Sequence, residues 1–128
     1  MIDHYTAKIE QAADEIALVT RDFQDGAETL LISYGITSRS AAVAVREARA
    51  GGQRVSALVL QTLWPVPEAA IKAALAGVRR VIVPEMNMGQ YRLEIERLAP
   101  GGVEVIGVNK MNTTLVSPTE ILRAGGWQ

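Results

Sequence analysis

The sequence contains no cysteine and a single histidine. No disulfide, thiolate nucleophile or cysteine-ligated iron–sulfur cluster can be built within it, and a histidine-cluster metal site is excluded as well. Aromatic residues are scarce, at 5%, so Ala, Val, Ile and Leu must do the packing. That favours a layered α/β core over an aromatic-rich β-sandwich. No sign of charge dominates: 13 basic residues face 14 acidic ones, for a formal net charge of −1, with no basic stripe. Nucleic acid is therefore not an expected partner. No apolar run approaches the roughly 18 residues of a membrane span, and no signal-peptide pattern precedes the fold. A cytoplasmic protein with no membrane partner is the expectation.

What remains is an ordinary folding composition on a chain of 128 residues, enough for one hydrophobic core and not for two. Tyr5, Ile9, Ala12, Ala13 and Ile16 recur at helical spacing and predict an amphipathic N-terminal helix over residues 1–15. His4 on that segment has no carboxylate partner at catalytic spacing. Residues 16–23 read as a short strand of mixed polarity, suited to a sheet edge; the other reading continues the first helix to Thr20. From residue 28 to 124 strand and helix patterns alternate. The strands are residues 28–34, 54–60, 79–84 and 103–108. Helices are expected from Arg39 to Arg49, opened by Thr37 or Ser38 as cap, from Pro67 with Ile71, Ala74, Leu75 and Val78 as its apolar stripe, from Gln90, and from Ser117. Ser117-Pro118-Thr-Glu120 is a capping-box pattern with Pro at the first helical position. Such alternation calls for a mostly parallel sheet with right-handed crossovers and helices on both faces, a three-layer α/β/α domain. The runs Thr29–Tyr34 and Arg80–Val83 are apolar enough to be its central strands.

Two turns at strand ends hold most of the chemistry-bearing residues. After the run ending in Pro84 come Glu85, Asn87, Gly89 and Gln90, directly before a helix. Polar groups there can meet an anion or a carbonyl at the free N–H groups of the helix start, or they can simply make the turn and cap the helix. Gly35-Ile-Thr37-Ser38 repeats the layout at the preceding strand. It lacks the glycine patterns of dinucleotide and phosphate loops, and helix capping is its plainer reading. No serine lies in a nucleophile elbow. Trp64, in the stiff Leu63-Trp-Pro-Val-Pro67 loop, has the character of an interface anchor. No nucleophile–base pair, metal site or cofactor fingerprint emerges, so no catalytic, cofactor-binding or metal residue is assigned.

Leu31-Ile-Ser-Tyr-Gly35 with Ser38-Arg-Ser40, the Leu63–Pro67 loop, Val83-Pro-Glu85-Met-Asn87-Met-Gly89-Gln90 and Ser117-Pro118-Thr-Glu120-Ile121 together resemble the C-terminal part of the alpha subunit of 2-oxoacid:ferredoxin oxidoreductases, the 2-oxoglutarate type most closely. The resemblance implies a fold like the transketolase C-terminal domain: a five-stranded mixed sheet in order 1-3-2-4-5, strand 1 antiparallel, preceded by a linker at residues 1–15, with residues 16–128 as the domain. The family's enzymes decarboxylate a 2-oxoacid oxidatively with thiamine diphosphate and Mg²⁺, pass electrons through iron–sulfur clusters to ferredoxin, and form an acyl-CoA. The domains and ligands for those groups lie outside the matched region. A structural and interface domain, inactive alone and partnered with thiamine-binding domains or subunits, is therefore expected, either excised or separately encoded. Self-association or exposed apolar surface is expected around Trp64, Val66 and the first helix. The alternatives are a free-standing module holding a small anion or CoA, and the equivalent domain of a transketolase or dehydrogenase E1-type enzyme. The implied strand order makes the strands ending at Tyr34 and Pro84 neighbours whose helices leave on opposite faces. A crevice is then expected between Gly35–Ser38 and Glu85–Gln90, at the topological switch point.

Overall fold

The structure is a computed structural model and describes residues 19–63, 66–85, 90–109 and 116–127. Strand and helix alternate as the patterning requires: β1 (Val19–Asp22), β2 (Thr29–Tyr34), α1 (Thr37–Ala50), β3 (Val55–Leu60), α2 (Glu68–Leu75), β4 (Arg80–Glu85), α3 (Gln90–Leu98), β5 (Glu104–Asn109) and α4 (Pro118–Ala124). The expected helix over residues 1–15 lies outside the described residues.

One five-stranded sheet runs in the order β1-β3-β2-β4-β5. β1 pairs antiparallel with β3, and every other pairing is parallel. Both runs expected at the centre sit there: β2 lies between β3 and β4, and β4 between β2 and β5. Their near-continuous apolar sequence follows from helices covering both faces. Only Val19 of β1 is buried, while Thr20, Arg21 and Asp22 are exposed, the mixed polarity of an edge strand.

Alternation along the strands divides the core. Leu30 and Ile32 of β2 and Val81 and Val83 of β4 join Ile71, Leu75, Tyr91 and Ile95, so α2 and α3 cover one face. Leu31 and Ile82 join Ala41, Ala44, Val45, Ile121 and Leu122, so α1 and α4 cover the other. Small residues on α1 let its backbone lie close to the sheet. Ile71 and Ile95 are fully buried, and burial of a side chain that size contributes about 1.5–3 kcal/mol.

Four local expectations change. α2 ends at Leu75, so Val78, read as part of its stripe, joins the core from the turn beyond the helix. β4 runs past Pro84 to Glu85, because its pairing with β5 continues through Pro84–Val108 and Glu85–Asn109. The β2–β4 register, by contrast, covers only Thr29–Arg80 to Leu31–Ile82. Pro67 stands at the N-cap of α2 rather than inside its first turn. Neither Thr37 nor Ser38 caps α1: the N-cap position is Ile36, without a side-chain cap bond. The Thr37 hydroxyl instead donates to the Tyr34 carbonyl at 2.6 Å and the Ser38 hydroxyl to the Gly35 carbonyl at 2.7 Å. The capping box of α4 forms as read, with the Glu120 amide donating to Ser117 Oγ at 3.2 Å and the Ser117 amide to Glu120 Oε1 at 2.9 Å.

Candidate functional site

The carboxyl ends of β2 and β4 bring two of the sequence-selected turns to the same edge of adjacent strands. Gly35 turns the chain out of β2 with φ of 59°, a left-handed conformation that suits glycine. Ile36 follows, exposed, and α1 departs across one face. Glu85 ends β4, and α3 departs across the opposite face. The topological reversal expected at this point is therefore present. Trp64, Asn87 and Gly89 lie outside the described residues. Gln90 is the first residue of α3.

Glu85 is fully buried. Its position follows from the two-residue period of β4: with Val81 and Val83 it points to the α2–α3 face. A carboxylate so placed must be satisfied, and four groups converge on it or on its partners. Glu85 Oε1 accepts from the Tyr34 hydroxyl at 2.6 Å and from the Tyr91 amide at 3.0 Å. Oε2 accepts from the Arg92 amide at 3.1 Å. The Tyr91 hydroxyl in turn donates to the Leu63 carbonyl at 3.3 Å, and the two tyrosine rings lie 5.6 Å apart, inclined at 57°. Glu85 thus closes two of the amide groups left open at the start of α3, where negative charge is also favoured by the helix dipole.

Burial, and next the hydrogen bond to Glu85, push the Tyr34 hydroxyl well above its ordinary value. Burial is also the main reason that Tyr91 is pushed up to about 12. Both phenols therefore remain donors throughout the neutral range. The tyrosines' polar roles were not apparent from sequence, where both read as strand or core residues. The available signal was that a buried tyrosine hydroxyl usually finds a partner.

Chemically, the Glu85 carboxylate and the groups that donate to it form an internally paired hydrogen-bond network. Among the described residues no group of three or more His, Cys, Asp or Glu is placed to hold a metal ion. With no cysteine in the sequence, the chain supplies no thiolate for an iron–sulfur cluster. Thr37 and Ser38 donate to backbone carbonyls.

A family profile described as pyruvate:ferredoxin oxidoreductase core domain II matches residues 27–121. The chain belongs to this family. It is 40% identical over 115 residues to the 2-oxoglutarate synthase subunit KorA of Methanothermobacter marburgensis, a match covering 90% of this chain and 31% of that protein. It is 41% identical over 98 residues to the ketoisovalerate oxidoreductase subunit VorB of Methanothermobacter thermautotrophicus, covering 77% of this chain and 28% of that one. The chain thus spans about a third of the length of the curated relatives it matches. In three dimensions it is similar to the 2-oxoglutarate:ferredoxin oxidoreductase from Magnetococcus marinus, solved with 2-oxoglutarate, coenzyme A and succinyl-CoA bound. The TM-score is 0.78 at 22% identity, over 98% of this chain and 24% of that one. A transketolase from Campylobacter jejuni aligns with a TM-score of 0.53 at 13% identity, over 86% of this chain and 17% of its own. These two likenesses show the fold, and the transketolase C-terminal architecture implied by the sequence motifs is the one observed.

Proposed function

We propose that this domain of the core domain II family is the structural and interface domain of the alpha subunit of a 2-oxoacid:ferredoxin oxidoreductase, with 2-oxoglutarate as the favoured substrate. The observation that carries the reading is the 40% identity over 90% of the chain to one segment, 31% of the length, of a 2-oxoglutarate synthase subunit. On this reading the domain performs no bond-making step. Thiamine diphosphate, Mg²⁺, the iron–sulfur cluster and CoA are held by other domains or subunits, and ferredoxin is met by the whole cytoplasmic enzyme.

What the domain supplies is a rigid edge. Its central strands are locked on both faces, and the Glu85 network holds the start of α3 and the Leu63 carbonyl. That edge also carries the exposed Ile36; in sequence the Trp64 loop follows β3 and the Asn87–Gln90 turn follows β4. We assign Gly35, Thr37, Ser38, Trp64, Asn87, Gly89 and Gln90 to the docking side, with Glu85 holding it from within. A free-standing anion- or CoA-binding module is not favoured, because the relatives matched are oxidoreductase subunits.

Native mass spectrometry of the chain mixed with the thiamine-binding chain of the same source tests this reading. A stable complex that turns over 2-oxoglutarate with a dye acceptor, while the chain alone does not, is expected. Turnover by the isolated chain, or no complex at micromolar concentrations of both, would sink it.

A further inference from the structure

We propose that Tyr34, Glu85 and Tyr91 form a strap, centred on the buried Glu85 carboxylate, that couples two segments of the carboxyl edge, so that Leu63 and the start of α3 move as one body. The two segments are more than twenty residues apart in sequence and share no strand pairing. Tyr91 joins them through opposite ends of one residue: its backbone amide donates to Glu85 Oε1 at 3.0 Å, and its hydroxyl donates to the Leu63 carbonyl at 3.3 Å. Glu85 is in turn fixed from β2 by the Tyr34 hydroxyl at 2.6 Å. Tyr34 and Leu63 pack against the same core as Tyr91. A displacement of α3 at its start therefore pulls on the Leu63 carbonyl, and a displacement of Leu63 is felt at Glu85. Tyr34, Glu85 and Tyr91 are positioning residues for both segments, and this coupling is a property of the chain itself, whichever partner it meets.

The test is residue-resolved amide hydrogen exchange on the full chain. Tyr91→Phe keeps the ring and removes the bond to Leu63. The Glu68 amide, which donates to the Val66 carbonyl at 2.8 Å a few residues after Leu63, should exchange about 5-fold faster, the size of one net hydrogen bond. Leu30 and Ile32 amides at the sheet centre should stay within about 2-fold, since they report global opening. Glu85→Gln should accelerate the Tyr91 and Arg92 amides and, through the strap, the Glu68 amide as well. If Glu85→Gln does not fold, Tyr34→Phe substitutes for it with a smaller change of the same pattern. An unchanged Glu68 amide in either variant, or equal acceleration of Leu30 and Ile32, overturns the coupling.

Discussion

The two ends of the parallel sheet solve the same electrostatic problem with opposite charges and very different burial. At the carboxyl edge a helix starts, and fully buried Glu85 accepts the Tyr91 and Arg92 amides. At the amino edge helices finish, and arginines serve the carbonyls there. Arg80 donates to the Gly125 carbonyl at 2.8 Å and to Thr29 Oγ1 at 3.0 Å, and its guanidinium lies 5.5 Å from the Trp127 ring. Arg49 likewise donates to the Val55 carbonyl and pairs with Asp22. The signs follow from the helix dipole. The amino edge, however, is an open, charged cleft of about 430 Å³ lined by Arg54, Arg79, Arg80, Glu28 and Glu104. Water can replace part of what is lost there. The Glu85 side chain is fully buried, so the same kind of contact should matter more at the carboxyl edge.

The largest break in that contrast should come from Glu85→Ala. It leaves the buried Tyr91 amide and the part-buried Tyr34 hydroxyl and Arg92 amide without their acceptor, and an orphaned buried donor costs about 1–3 kcal/mol. Urea unfolding should show a loss of about 3 kcal/mol or more; a loss under about 1 kcal/mol would mean that the network is not desolvated. Arg80→Ala should rank second. It removes two hydrogen bonds and a cation–π contact in a half-buried setting, for a loss of about 1–2 kcal/mol by the same assay.

Alkaline pH should then separate the edges further. Tyr34 and Tyr91 have folded-state values raised above the ordinary 10.0. Their contribution to stability is complete below pH 10 and is lost as pH rises toward and through the folded values, about 12 for Tyr91. Unfolding midpoints should fall between pH 10 and 12, and the fall should be shallower in Tyr34→Phe and in Tyr91→Phe. An identical slope in both variants would place the effect elsewhere. The smallest effect belongs to Arg79→Ala at the amino edge. Its 3.4 Å pair with Glu28 joins two well-exposed side chains, and such pairs contribute within about 0.5 kcal/mol; a larger change in urea midpoint would show that the cleft is less open than its geometry implies.

The sequence by itself determined the architecture. Apolar runs at residues 29–34 and 80–83 had to be buried on both faces, strand–helix alternation called for parallel crossovers, and the pattern Ser117-Pro118-Thr-Glu120 set a helix start that forms as read. Those features are local, or follow from periodicity, and a linear pattern carries them. Family membership was legible too, because the motifs around Leu63 and Glu85 are specific. Tertiary structure decided what the polar residues do. Thr37 and Ser38 satisfy either hydrogen-bonding role, and only the path of the chain after Tyr34 turned their hydroxyls onto carbonyls. Glu85 read equally as a site residue or a turn residue. The continuation of β4 past Pro84 gave it the inward parity of Val81 and Val83. The meeting of Tyr34, Glu85 and Tyr91 needed β2 and β4 to be neighbours, a pairing across some fifty residues. No window along the chain holds that information, because it resides in how the sheet is ordered.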